Sequence, residues 1–362
     1  MRKIMIPFIM FVFMCIFCSR AVYAQKTSAR WSEQKVQLWY KSQPWLAGCN
    51  YIPASAINQI EMWSKDTFDP NQIDKELLWA QHLGFNTMRV FLSSVVWQND
   101  AKGMKARMNQ FLGICKRHGI RPLFVFFDDC WNAESHYGTQ PAPQPGIHNS
   151  GWLQDPSVSL RADTVKLYPM LKAYVTDILT TFKTDKRILL WDLYNEPGNS
   201  GHDNSSLSLL RCVFHWAREV SPSQPITSGY WNPDLKEISQ YQLAYSDIIT
   251  FHNYDTEKSQ QERIDLIRKT VGVRPLICTE YMARTRGCKF QNIMPLLKKN
   301  NIGAINWGFV AGKTNTIFAW GNPLPNEKEP KVWFHDIYRQ DGTPFDEAEI
   351  VCIKSLTQKK NK

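Results

Sequence analysis

The sequence lacks the patterns by which several protein classes are recognised. No glycine-rich phosphate loop follows the first predicted strand, which argues against nucleotide binding. His136, His148 and His202 stand alone in predicted loops, without the spacing of metal ligands. There is no track of interleaved arginine and aromatic residues suited to nucleic acid, and no internal repeat. We therefore expect no metal, no cofactor and no nucleic-acid partner.

Cysteine does not form a framework either. Two of the nine cysteines, Cys15 and Cys18, lie in an apolar stretch near the N-terminus. The remaining seven are odd in number, and their spacing matches neither a disulfide scaffold nor a zinc site. A chain of 362 residues can bury a full core without such links. Cys278, inside an apolar run, is expected to be a buried apolar residue.

The longest apolar run is confined to the N-terminus. Arg2 and Lys3 precede it, it covers residues 4–18, and the tripeptide from Val22 to Ala24 has the small-x-small pattern of a cleavage site. Because the run is short for a membrane span, we interpret residues 1–24 as a cleaved signal peptide rather than an anchor. The protein is then exported, to the periplasm or outside the cell, without a stable membrane span.

Positive charge is in modest excess and is scattered. The formal net charge of +10 falls to +7 when the three basic residues of the signal peptide are removed. Apart from a short basic tail at residues 358–362, no cluster stands out. Such a balance bears on solubility rather than on a particular partner, and it leaves the oligomeric state open.

Alternating strand and helix patterns fill residues 45–357. Short apolar runs, typical of strands buried on both faces, alternate with amphipathic helical stretches. The predicted strands cover residues 45–52, 86–92, 121–127, 188–191, 225–231, 247–254, 275–281 and 302–310. After a lead-in at residues 25–44, this alternation predicts an α/β fold, a single-domain (β/α)8 TIM barrel; a doubly wound open sheet is the alternative.

Two predicted strands end in a glutamate. Glu196 follows Asn195 and precedes Pro197, and Glu280 closes the apolar run before Tyr281. Barrel enzymes carry their active residues at these carboxyl ends, and a pair of carboxylates can cleave a glycosidic bond. The other candidate residues at or after strand ends are Arg89, Asp129, Trp131, His252, Tyr254 and Trp307.

Each candidate also has an ordinary structural interpretation. A strand-end glutamate is commonly a solvated rim residue, and Arg89 could bridge carboxylates in the barrel mouth. His252 could be a satisfied core residue. One member of the pair Asp128 and Asp129 could cap the next loop, and Trp131 could pack within the loop instead of facing a sugar.

The combination of strand ends resembles glycoside hydrolase clan A, and within it family 5 and its cellulase-like relatives. The resemblance covers roughly residues 40–357. It rests on Asn195-Glu196-Pro197, His252-Asn253-Tyr254, Glu280, Trp307 and Arg89.

The resemblance implies a role for each matching residue. Glu196 is expected to be the acid/base and Glu280 the nucleophile of a retaining enzyme. Asn195 would contact the sugar 2-hydroxyl, Tyr254 would lie beside the nucleophile, and Trp307 would form the floor under the cleaved sugar.

The two glutamates need different protonation states. Glu280 should be ionised with help from Tyr254 and Arg89, while repulsion from Glu280 should raise the pKa of Glu196. One departure stands out, because family 5 usually has a histidine after strand three, where this chain has Cys130 two residues after Asp128.

The sequence therefore predicts a secreted retaining β-glycoside hydrolase that acts on a polysaccharide or its oligosaccharides. A catalytically inactive barrel that only binds glycans is the alternative. We expect the specificity to lie in the loop at residues 128–163 and in the segment at residues 311–335, neither of which identifies the sugar.

Overall fold

The computed structural model describes residues 29–358, so the predicted signal peptide and most of the basic tail lie outside the described residues. Within that range the strands are β1 (Ala47–Asn50), β2 (Thr87–Phe91), β3 (Leu123–Asp128), β4 (Trp191–Asn195), β5 (Ile226–Thr227), β6 (Ile249–His252), β7 (Leu276–Glu280) and β8 (Gly303–Asn306). They form one parallel sheet in the order β5-β4-β3-β2-β1-β8-β7-β6.

Backbone hydrogen bonds join the two ends of this order. The amide of Tyr230 donates to the carbonyl of Thr250 at 2.8 Å, and the amide of His252 donates to the carbonyl of Tyr230 at 3.0 Å. Closer to the start of β6, the amide of Asp247 donates to the carbonyl of Ile226 at 2.8 Å. The sheet thus closes on itself, and the predicted TIM barrel is confirmed.

Helices surround the barrel between successive strands. In the described range they are α1 (Glu33–Lys41), α2 (Gln59–Trp63), α3 (Pro70–His82), α4 (Ser94–Arg117), α5 (Thr164–Thr181), α6 (Leu207–Val220), α7 (Lys236–Tyr245), α8 (Glu257–Val271), α9 (Phe290–Lys299) and α10 (Glu347–Thr357). None of these helices has the length and apolar character needed to cross a bilayer.

The sequence pattern misplaced some elements. It missed α1, α2 and α7, and it began α4 ten residues late, because a non-helical residue at Asp100 interrupts that helix. The apolar residues at 188–190, predicted as part of a strand, precede β4. Ile188 is buried in the main core, and Leu189 and Leu190 are buried in a separate cluster with Val36 and Tyr40 of α1, so the apolar character of this run reflects burial.

The surroundings of two glycines, Gly48 in β1 and Gly113 in α4, predict opposite effects of substitution by alanine. A Cβ atom on Gly48 would lie 1.9 Å from the carbonyl oxygen of its β2 neighbour Thr87, so the backbone would have to shift. We expect Gly48→Ala to lower the free energy of unfolding by about 1–3 kcal/mol or more. Gly113, in α4, has no atom within 4 Å of such a Cβ. Gly113→Ala should stabilise the protein by up to about 1 kcal/mol, since alanine is the better helix former.

Urea unfolding curves of the two variants and the wild type provide the measurement. Equal midpoints for Gly48→Ala and the wild type would contradict the close approach of β1 and β2.

Candidate active site

Arg89 of β2 lies in the barrel mouth and is completely buried. Its guanidinium donates to Asp192 Oδ2 at 2.8 and 3.0 Å and to Glu280 Oε1 at 2.6 Å. It also donates to the side-chain oxygens of Asn50 and Asn195, at 2.9 and 2.7 Å. Burial lowers the pKa of Arg89, but the two carboxylates outweigh it and the pKa rises above its ordinary value. Arg89 therefore bridges carboxylates, one of which is the candidate Glu280.

Sequence reasoning missed two partners of this arginine, Asn50 and Asp192. Asp192 is completely buried in β4, between the apolar residues Trp191 and Leu193. A lone acid in an otherwise apolar strand was the signal available, since a buried carboxylate needs a cation or several donors nearby.

Glu280 has donors on both of its oxygens. Besides Arg89 on Oε1, the hydroxyl of Tyr254 donates to Oε2 at 2.7 Å, and His252 Nδ1 lies 3.5 Å from Oε2. Burial, with a smaller contribution from the charge of Glu196, keeps the pKa of Glu280 above its ordinary value, although His252, Arg89 and the Tyr254 hydrogen bond act to lower it. Of the two strand-end glutamates, Glu280 is the one that contacts a buried cation.

Glu196 follows the last residue of β4 in a left-handed backbone conformation, with φ of 42°. A non-glycine residue in that region costs about 1–2 kcal/mol, so the surrounding structure must hold it. Asp129 helps to stabilise the turn that contains Glu196, because its Oδ2 accepts from the amide of Gly198 at 2.7 Å and from the hydroxyl of Ser206 at 2.5 Å.

Asp129 itself faces away from the cleft. Its Oδ1 accepts from the hydroxyl of Tyr194 at 2.7 Å and pairs with Arg161 at 2.7 Å. The side chain is completely buried beneath the turn that follows β4. The structure thus places Asp129 where it supports Glu196, and not where a sugar hydroxyl would reach it.

Neutral groups surround the carboxylate of Glu196. His252 Nδ1 lies 2.8 Å from Oε1, while Asn199 Nδ2 and Cys130 Sγ lie 2.5 and 3.4 Å from Oε2. Burial is the largest cause of the raised pKa of Glu196, in place of the expected repulsion from Glu280. Arg89 contacts Glu280 directly but acts on Glu196 only through its more distant charge. A single proton shared by the two glutamates therefore belongs on Glu196.

His252 lies between the two glutamates. Burial lowers its pKa to about 4, so the ring is neutral near pH 7. Its Nε2 atom has no hydrogen-bond partner among the described residues, and a Cβ on Gly229 would come within 3.0 Å of it. A proton on Nε2 would be buried without an acceptor, so the tautomer protonated on Nδ1 is favoured. His252 therefore donates a hydrogen bond towards the glutamates.

Asp128 fixes the orientation of the Asn195 amide. Asn195 Nδ2 donates to Asp128 Oδ1 at 2.9 Å, and Trp152 Nε1 donates to Asp128 Oδ2 at 2.7 Å. Burial raises the pKa of Asp128 to about 7, against the donors that lower it. Asn195 thus has its oxygen on Arg89 and its nitrogen on Asp128, while its side chain borders the cleft.

A cleft of about 650 Å³ opens above these residues. It is lined by Cys130, Trp131, Asn132, His148, Asn149, Asn195, Glu196, Asn199, Ser200, Trp231, Tyr254, Glu280, Trp307 and Trp320. The predicted candidates Trp131 and Trp307 both border it, the first partly exposed and the second largely buried. Aromatic side chains next to a few directed polar groups are typical of a small-molecule site.

Glu196, His252 and Glu280 also form a set of potential metal ligands that sequence spacing did not reveal. One donor atom from each lies within 4.8 Å of the others. The guanidinium of Arg89 already offsets the charge of Glu280 at 2.6 Å, which disfavours a further cation there.

Comparison with known proteins finds similarity in structure alone. No family model matches the sequence, and no curated protein matches it. Among solved structures, a GH5_18 enzyme from Streptomyces cattleya in complex with Manβ1-4GlcNAc superposes with a TM-score of 0.62 at 11% identity, over 88% of this chain and 81% of that one. The fold of this chain is thus similar to that of structures described as family 5 glycoside hydrolases.

Two further solved structures have a similar fold. The exo-β-1,4-mannosidase Op5Man5 from an Opitutaceae bacterium has a TM-score of 0.57 at 18% identity, over 86% of this chain and 60% of that one. The endo-1,4-β-mannanase from Rhizomucor miehei has a TM-score of 0.57 at 14% identity, over 88% and 96%. At such identities the similarity concerns the fold.

Most of the predicted residues come together at one end of the barrel. Arg89, Asn195, Glu196, His252, Tyr254 and Glu280 form one connected hydrogen-bond network at the carboxyl ends of the strands. Cys130 occupies the place after β3 where a histidine was expected, and its thiol borders the cleft beside Glu196.

Proposed function

We propose that this protein is a secreted retaining β-glycoside hydrolase that cleaves β-glycosidic bonds in a polysaccharide or its oligosaccharides. The observation that carries the proposal is the short separation of the two glutamates, since one carboxylate oxygen of Glu196 lies within 4.8 Å of one carboxylate oxygen of Glu280. Retaining enzymes use carboxyl groups about 5–5.5 Å apart, whereas inverting enzymes need about 6.5–9.5 Å to accommodate a water.

In the first step, Glu280 attacks the anomeric carbon as the glycosidic bond breaks. Arg89 and Tyr254 hold its two oxygens and so orient the attacking carboxylate. The proton on Glu196 passes to the leaving oxygen, which departs as a hydroxyl group. The product is an ester between Glu280 and the sugar, and Glu196 is left ionised.

In the second step, a water attacks the anomeric carbon and displaces Glu280. Glu196 takes a proton from that water. Before this transfer, His252 Nδ1 and Asn199 Nδ2 donate hydrogen bonds to the carboxylate oxygens of Glu196 and stabilise its negative charge. Both glutamates then return to their starting states. Two displacements at one carbon give retention of configuration.

The alternative, an inactive glycan-binding barrel, explains the aromatic cleft but not the buried charged residues at the bottom of the cleft. A binding surface has no use for a buried arginine shared between Asp192 and Glu280, since burying such charges costs free energy. Directed donors on both oxygens of Glu280 suit a carboxylate that reacts.

We propose β-mannosides as the first substrates to examine, because mannosidases and mannanases recur among the proteins that share this fold. The experiment is a panel of aryl β-glycosides of mannose, glucose, xylose and galactose, followed by NMR of the first-formed anomer. Turnover of at least one glycoside with a β-configured first product supports the proposal. No turnover of any of them, nor of β-1,4-linked pentasaccharides, would refute hydrolase activity, and an α-configured product would refute retention.

Export is tested separately. Expression of the full chain with its own N-terminus in a bacterial host, followed by fractionation and N-terminal sequencing, should yield an exported form that begins at Gln25. A form that keeps Met1 and stays with the cytoplasmic fraction would refute the signal peptide.

A further inference from the structure

Two segments meet across the barrel mouth. The first follows β3 and includes residues 144–149, and the second follows β8 and includes residues 314–324. The amide of Asn149 donates to the carbonyl of Thr314 at 2.8 Å, and the amide of Leu324 donates to the carbonyl of Gly146 at 3.0 Å. We call these paired segments the mouth bridge. Because β3 and β8 lie on either side of β1 and β2, the bridge crosses over the ends of those two strands.

His148 forms the inner wall of the mouth bridge. Burial lowers its pKa to about 4, so the ring is neutral. Its Nδ1 lies 2.8 Å from the carbonyl of Phe318, and Trp320 Nε1 donates to its Nε2 at 3.1 Å. A single neutral tautomer, protonated on Nδ1, satisfies both contacts. The Trp131 ring lies 5.2 Å from the imidazole, so the wall is continuous and aromatic.

The space beyond Trp307, towards β1 and β2, is occupied mainly by packed rings, which leave a cavity of only about 20 Å³. The rings of Phe91 and Trp152 lie 5.0 Å apart, and Trp152 lies 5.6 Å from Trp307. Phe91 and Trp152 are nearly completely buried. The cleft therefore ends at this cluster and does not continue as a groove across the barrel.

The opposite end of the cleft is open. Ser200 is exposed, and Asn199 and Trp231 are half-buried. Asn199 also bonds to Glu196, the proposed acid, so the open end lies on the side of the leaving group. The closed end lies on the side of Glu280, because the Trp320 ring packs 4.7 Å from the ring of Tyr254, which bonds to Glu280.

From this asymmetry we infer that the enzyme is exo-acting and removes single sugars from the non-reducing ends of its substrate. The inference rests on the proposed hydrolase function. The sugar that becomes attached to Glu280 sits between that residue and the wall of His148 and Trp320. Trp320 of the wall packs directly against Tyr254, the hydrogen-bond partner of Glu280. There is therefore no room for a second sugar between the wall and the sugar attached to Glu280.

The closed end also offers a polar group for a terminal sugar. Asn149 is buried beside the wall, and neither Oδ1 nor Nδ2 has a hydrogen-bond partner among the described residues. An unsatisfied buried amide is costly. Both amide atoms lack accessible surface, so a hydroxyl of the terminal sugar can reach Asn149 only when the neighbouring side chains move.

The test uses β-1,4-linked mannopentaose, cellopentaose and xylopentaose, each fluorescently tagged at its reducing end, with early products separated by size. The first tagged product should be one sugar shorter, and each later product one sugar shorter again. A pentasaccharide whose terminal sugar is blocked by a 4,6-O-benzylidene group should react more than about 100-fold more slowly, because the closed end excludes bulk. First products shortened by two or more sugars, or equal rates on blocked substrate, would overturn the inference.

Removing the wall provides a second test. His148→Ala breaks the link between Phe318 and Trp320, so products shortened by two or more sugars should appear among the earliest cleavages. His136→Ala, at an exposed histidine in the same β3 segment, should leave the product pattern unchanged. Identical patterns for the wild type and both variants would show that the wall does not set the cleavage site. Absence of hydrolysis of every aryl glycoside and every pentasaccharide would instead refute the proposed function itself.

Discussion

Glu280→Gln should be inactive, with kcat/KM reduced by at least about 10,000-fold, or roughly 5 kcal/mol of transition-state stabilisation. The amide keeps the size of the side chain, its oxygen can still accept from Arg89, and its NH2 group can donate to the hydroxyl oxygen of Tyr254. It cannot form the ester with the sugar, so the covalent route is closed. The measurement is hydrolysis of the aryl β-glycoside that the wild type cleaves fastest.

A matched control is available in Glu237→Gln, which makes the same chemical change at an exposed position on α7. This variant should retain wild-type activity. Circular dichroism and urea unfolding of both variants distinguish loss of chemistry from loss of folding. Equal rates for Glu280→Gln and the wild type, with both folded, would remove Glu280 from the mechanism.

Glu196→Ala should separate the two chemical steps. With a leaving group that needs little protonation, the glycosyl-enzyme should still form on Glu280, but its hydrolysis should slow by about 100- to 10,000-fold for want of a base. Mass spectrometry should detect the accumulated ester. Added azide needs no base, so it should restore turnover and give a β-glycosyl azide.

The roles of the two glutamates predict opposite azide products. In Glu280→Ala, azide entering the vacated space should attack directly and give an α-glycosyl azide. The reverse pattern of products would exchange the roles of Glu196 and Glu280.

A further readout is the pH profile. Burial raises the pKa of Glu196, so wild-type activity should fall as pH rises through that pKa and the acid loses its proton. Glu196→Ala should lack this decline.

The order of strands and the two glutamates could be predicted from local patterns. Strands buried on both faces are mostly apolar, so they appear as short apolar runs in the sequence, even where single charged residues such as Arg89 and Asp192 interrupt them. A polar residue at the end of such a run marks where the strand leaves the core. Glu196 and Glu280 could be found in this way because their positions depend on neighbouring residues only.

The roles of adjacent acids could not be predicted in that way. Asp128 and Asp129 are neighbours in sequence, yet one holds the Asn195 amide at the cleft and the other holds the turn after β4. Successive side chains at a strand end point in opposite directions, and which direction faces the cleft depends on the pairing of β3 with β4. Asp192 was missed for a related reason, since its partner Arg89 is 103 residues away.

The sequence by itself determined the barrel, the strand-end glutamates and the two segments in which specificity should lie. Only the tertiary structure decided how those segments are used. The mouth bridge joins residues more than 160 positions apart, such as Asn149 and Thr314, through backbone groups that every residue possesses. Hydrogen bonds between backbone groups leave no trace in residue identity, so the closed end of the cleft could be found only by folding the chain.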